Sequence, residues 1–178
     1  MSWLLSHVKR DTFQQHKTWE NVCLDMMKKN LVQQAKAKGE KYAIALSASA
    51  NKGKTSILKI FADGFRYDPS VSLVDMAPMG CGDEMWCFLY DDIYIGIATG
   101  GDDDTMIDTA FDFFKKNKCQ IVFCATRYYS NSPSWTEFVC RCKKDGFIDD
   151  WQGVKEYSQA TLSIIYHDIA ENTLKMML

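Results

Sequence analysis

Apolar residues between positions 3 and 38 recur at three- and four-residue steps, at Trp3, Leu4, Val8, Phe13, Trp19, Val22, Met26 and Met27. That spacing lines one face of a helix, and Gly39 stands where a helix should stop. From residue 41 the pattern changes to short apolar runs separated by amphipathic stretches. Runs over 42–47, 71–75, 86–90, 93–98 and 120–125 predict strands, and 147–151 reads as one more. The run 120–125 is almost continuously apolar, as in a strand buried on both faces. A helix is expected over 54–64. Asp102 to Thr105 can cap another, with Ile107, Ala110, Phe111 and Phe114 as its stripe and Lys115, Lys116 and Lys118 at its end. Pro133 and Gly146 bracket a helix over 134–144, and Leu162, Ile165, Ile169 and Leu174 mark a last one over 158–177.

Strands that alternate with helices argue for an α/β fold: a three-layer, mostly parallel sheet with helices on both faces. One antiparallel hairpin is expected around Asp91-Asp92, and 78–83 reads as a loop. No linker divides the chain, so it reads as one domain. A helical N-terminal extension (1–40) precedes a core (41–157), and a C-terminal helix (158–178) follows it. Ligands of such sheets bind beyond the carboxyl ends of the strands. Three segments follow strands and would share that edge: the stretch after residue 47, Gly100-Gly101-Asp102, and the stretch after Ala125.

The first of these carries the sharpest chemical signal. Ala48, Ser49, Ala50, Asn51, Lys52, Gly53, Lys54, Thr55 and Ser56 form a small-residue loop that leads through Gly-Lys-Thr into a helix. Backbone N–H groups of such a loop, together with the positive end of the helix, cradle an anion. The sequence resembles the P-loop NTPase superfamily over roughly residues 41–150, most specifically at Gly53-Lys54-Thr55, and its compact size is most similar to the kinase-like group. It departs from the pattern at Ala48, where a glycine belongs. The resemblance implies ATP or GTP with Mg²⁺ as ligands. Lys54 would then reach the β- and γ-phosphates, Thr55 would ligate the metal, and the amides of Asn51 to Lys54 would form the cradle.

The resemblance also implies a carboxylate at the end of an apolar strand, to support the metal. Asp102, after the two glycines, and Asp75, after Leu73-Val74, are both candidates. Asp102 follows the longer strand. Arg127 follows the 120–125 strand, where a guanidinium could stabilise charge on a transferring phosphoryl group or clamp a substrate phosphate. The residues expected to carry the chemistry are therefore Lys54, Arg127 and Asp102, with Thr55, Asp102 and Asp75 as metal candidates. Tyr128, Tyr129 and Trp135 could stack on a base or simply pack together.

Composition narrows this picture only a little. The net charge is −2, which argues against a general nucleic-acid binder, although residues 1–41 hold eight Lys/Arg against four Asp/Glu. Seven cysteines without paired C-x-x-C spacing read as free thiols of a reducing, cytoplasmic setting rather than as zinc ligands. No stretch approaches the ~20 apolar residues of a membrane span. The leading expectation is Mg²⁺-dependent nucleotide binding with phosphoryl transfer or NTP hydrolysis. The alternative is a non-enzymatic interaction module with a degenerate loop, assembling with itself or a protein partner through the terminal helices.

Overall fold

The computed structural model describes residues 31–47, 53–127 and 132–153. The expected C-terminal helix, and the expected N-terminal helix up to residue 30, lie outside them. Helix α1, described over 31–38, ends at Gly39, whose N–H donates to the carbonyl of Ala35 at 2.9 Å. That residue sits at φ +64°, the left-handed conformation that stops a helix and that glycine adopts freely. The elements that follow are β1 (Lys41–Ser47), α2 (Lys54–Arg66), β2 (Ser72–Gly80), β3 (Asp83–Tyr90) and β4 (Ile93–Ala98). Then come α3 (Asp104–Lys116), β5 (Ile121–Thr126), α4 (Pro133–Asp145) and β6 (Phe147–Gly153).

The six strands form one sheet in the order β2-β3-β4-β5-β1-β6. β4, β5, β1 and β6 run parallel, whereas β3 is antiparallel to both of its neighbours. The described residues thus contain two antiparallel pairings where the sequence predicts one. The difference lies at 78–83. β2 continues through Pro78 to Gly80, and Cys81-Gly82 turn it tightly into β3. Pro78 is tolerated because β2 is an edge strand, which can spare a backbone donor. The Asp91-Asp92 turn has φ of +50° and +64°, the pair of positive values that a two-residue hairpin matched to strand twist requires.

Strand residues alternate strictly between two apolar clusters. In one, α1 and α2 pack on the branched and aromatic positions Ile44, Leu46, Trp86, Phe88, Ile95, Ile97, Ile121 and Phe123. In the other, α3 and α4 pack on smaller positions, among them Ala43, Ala45, Cys87, Ala98, Val122 and Cys124. The small strand residues leave room for Phe111, Phe114 and Phe138, each buried to 1% exposure or less. Gly96 belongs to the same fit, because a Cβ there would strike the Phe114 ring. Arg141 of α4 is buried beside the Phe111 ring and pairs with Asp108 at 2.9 Å and Asp112 at 2.5 Å, which ties α4 to α3. Cys87, Cys119, Cys124 and Cys142 are buried free thiols, while Cys81 and Cys140 are exposed ones. Among the described residues, no helix is long and apolar enough to cross a membrane.

Candidate functional site

The parallel strands β1, β4 and β5 end at one edge of the sheet. The antiparallel β3 starts there, since Met85 pairs with Ala98. From β1 the chain passes to α2, which belongs to the first cluster; from β5 it passes to α4, which belongs to the second. Adjacent strands whose connections leave to opposite faces open a crevice between their carboxyl ends, and ligands of α/β sheets bind in such a crevice. Ser47 and Thr126, the last paired residues of β1 and β5, form its base. Both are fully buried and share a hydroxyl–hydroxyl hydrogen bond.

Residues 48–52, the body of the expected phosphate loop, lie outside the described residues. Gly53, at φ +84°, takes the N-cap position of α2 and offers no side chain to the first-turn N–H groups. Lys54 follows, only 6% exposed. Its ammonium stands 4.0 Å from Asp102, whose other carboxylate oxygen receives the Arg127 guanidinium at 2.7 Å. Three side chains named from separate parts of the sequence therefore meet. Burial depresses the Lys54 pKa, the nearby Arg127 adds to the depression, and Asp102 and Asp83 oppose it.

Local structure explains why Asp102 is available. Asp103, not Asp102, caps α3, accepting the Met106 N–H at 2.8 Å from an extended backbone. Gly101 lets the chain cross close over β5, since a Cβ there would overlap the carbonyl oxygen of Ala125. Gly101 thus serves a backbone crossing, while a Cβ at Gly100 would press on the Met79 sulfur. Arg127 is fixed at its root. Its N–H donates to Ser134 Oγ at 3.1 Å, and its carbonyl accepts from Ser132 Oγ at 3.4 Å.

Thr55 brings in two residues that the sequence did not single out. Its hydroxyl donates to Asp83 Oδ1 at 3.2 Å and lies 3.5 Å from the Thr99 carbonyl oxygen. Thr99 Oγ1 donates to the same Asp83 oxygen at 2.9 Å and accepts the Glu84 N–H at 2.9 Å. Lys59 of α2 holds the β2–β3 turn through the Gly82 carbonyl at 2.9 Å, which keeps Asp83 next to Thr55. Asp83 escaped notice because it lies at the start of a strand, and only the antiparallel course of β3 carries it to this edge. Ser56, one residue further along α2, is exposed.

Asp75 is not brought to this site. It accepts from Lys116 Nζ and Asn117 Nδ2, both at 3.0 Å, beyond the last turn of α3, and these bonds hold its carboxyl below the usual range. Asp102 precedes the other end of that 13-residue helix, so about 20 Å of helix separates the two carboxylates. Tyr128 and Tyr129 lie outside the described residues, and Trp135 packs on Phe138 in the second cluster. The chain matches no family model, no curated protein and no solved structure.

A threonine hydroxyl and a carboxylate 3.2 Å apart are hard oxygen ligands at one point of the edge. Among the described residues no group of three or more His, Cys, Asp or Glu could hold a metal.

Proposed function

We propose that this chain is a three-layer P-loop domain that binds a purine nucleoside triphosphate with Mg²⁺ and transfers or hydrolyses its terminal phosphoryl group. One observation carries the reading. Lys54, buried at the first turn of the helix after β1, shares a carboxylate with Arg127 in the crevice between β1 and β5. A buried lysine is costly. Its position beside a second cation and the N-terminus of α2, where Gly53 supplies no capping side chain, makes sense when the ligand is a polyanion.

In this reading Lys54 and Arg127 bind the phosphates, and their fixed charges oppose the negative charge of the transferring group. Thr55 and Asp83 would hold Mg²⁺, which supplies neutralisation of phosphate charge when bound. Asp83 keeps the Thr55 hydroxyl turned toward it, so the threonine oxygen offers its lone pairs outward.

Calorimetric titration with MgATP and MgGTP, on the native chain and on Lys54→Ala, tests the reading. Binding should be lost in the variant while its circular dichroism stays native. Affinity that ignores the substitution, or no binding at millimolar nucleotide, would sink the phosphate-site reading. Binding without release or transfer of phosphate would instead support the assembly module, with nucleotide as a structural ligand.

A further inference from the structure

Both cations of the proposed phosphate site are already engaged by the protein's own carboxylate. Asp102 accepts from Arg127 at 2.7 Å and faces Lys54 at 4.0 Å. The three groups differ sharply in freedom. Lys54 is anchored in the first turn of α2 and 6% exposed. Arg127 is pinned through both its backbone N–H and its carbonyl by the serines that open α4. The Asp102 side chain is 54% exposed and is not used to cap α3, a task that falls to Asp103. It is the member that can rotate into water at little cost.

We infer that Asp102 is a built-in competitor for the phosphate. It occupies the two cations in the ligand-free chain, and a ligand enters by displacing it. This rests on the phosphate-site reading above and adds a selection rule to it. A displacing anion must outbid a carboxylate that is already in place. A polyphosphate can engage Lys54, Arg127 and the α2 N-terminus at once, whereas orthophosphate offers little more charge than the carboxylate it must replace. The site is thereby set for di- and triphosphates and closed to small anions.

The test is calorimetric titration of the full chain with tripolyphosphate and with orthophosphate, in EDTA so that metal plays no part. Native protein, Asp102→Asn, Lys54→Ala and the double variant are compared. Asp102→Asn should bind tripolyphosphate about tenfold more tightly, equivalent to 1.4 kcal/mol. It should also gain measurable orthophosphate binding, and Lys54→Ala in the same background should abolish both. An Asp102→Asn variant that binds tripolyphosphate no more tightly than native protein, while Lys54→Ala still abolishes binding, overturns the competitor role alone. Tripolyphosphate binding that is indifferent to Lys54, or absent throughout, overturns the phosphate site together with it. Circular dichroism and thermal unfolding check each fold, and Asp102→Ser replaces the asparagine variant if that one unfolds early.

Discussion

Replacing Lys54 with methionine should make the protein more stable while abolishing its ligand response. Methionine keeps the aliphatic stem and removes the ammonium. The charge at stake is 6% exposed and 4.0 Å from Asp102. At that distance a pair is worth roughly 4 kcal/mol in an effective dielectric of about 20. This attraction does not cover the cost of burial, because Asp102 is already neutralised by Arg127, which also repels Lys54. The depressed Lys54 pKa gives the sign of the balance: the fold disfavours the charged form. When the lysine is gone, Asp102 keeps Arg127 and Asp83 keeps the hydroxyls of Thr55 and Thr99. We expect a gain of about 1 kcal/mol, within the range of single stabilising substitutions. That corresponds to a midpoint rise of roughly 2–4 °C for a chain of this size.

The assay is thermal unfolding of both proteins with and without MgATP. Nucleotide at about a hundred times its dissociation constant adds ~2.7 kcal/mol to the native chain and nothing to the variant. The pH dependence follows from linkage. A lysine whose folded pKa lies below its unfolded value imposes its penalty in full below the folded pKa and sheds it as pH rises toward the unfolded value. The advantage of the methionine variant should therefore narrow in alkaline buffer. A midpoint that falls in Lys54→Met would refute the reasoning, because the ammonium would then be a net contributor to the fold.

Three further outcomes are expected. Gly101→Ala places a Cβ against the Ala125 carbonyl, which is backbone and cannot turn aside, so it should cost about 1–3 kcal/mol in urea unfolding; an unchanged midpoint would contradict the close crossing. Asp103→Ala removes the α3 cap and should cost about 1 kcal/mol by the same assay, whereas Asp104→Ala should cost less. The Tyr42 hydroxyl donates to Glu40, which pushes its pKa up to about 12, so its stabilising contribution is present below pH ~10 and lost as pH climbs through the folded value. Unfolding curves across that window should fall less steeply for Tyr42→Phe than for the native chain.

Much of the fold could be read from local pattern. The alternation of strand and helix, Gly39 as a stop, and Pro133 and Gly146 at the ends of α4 all follow from residues close in sequence. The second half of β2 was less legible, because an exposed edge strand lacks the apolar run that marks a buried one, and Pro78 to Gly80 read as loop together with the Cys81-Gly82 turn. The candidate site divides the same way. Lys54, Asp102 and Arg127 follow strands or open a helix, so the rule about carboxyl ends finds them. Asp83 and Thr99 escape that rule, since their meeting with Thr55 depends on β3 running backwards beside β4. Asp75 satisfied the local rule yet lies by the far end of α3, because β2 runs on to Gly80 and leaves Asp75 in mid-strand rather than at a carboxyl end.

The partnership of Ser47 with Thr126 spans 79 positions, and β1 has no sheet neighbour other than β5 and β6. The first described strand to leave the ribosome is thus completed by the last two described. At about 5–20 residues per second, the nascent chain waits roughly 4–16 s between making Ser47 and making its partner. Throughout that interval both edges of β1 are open, and the Lys54 turn has neither Asp102 nor Arg127 beside it until late. A chain arrested before Ile121 should hold no phosphate, so nucleotide capture would report that synthesis has passed β5.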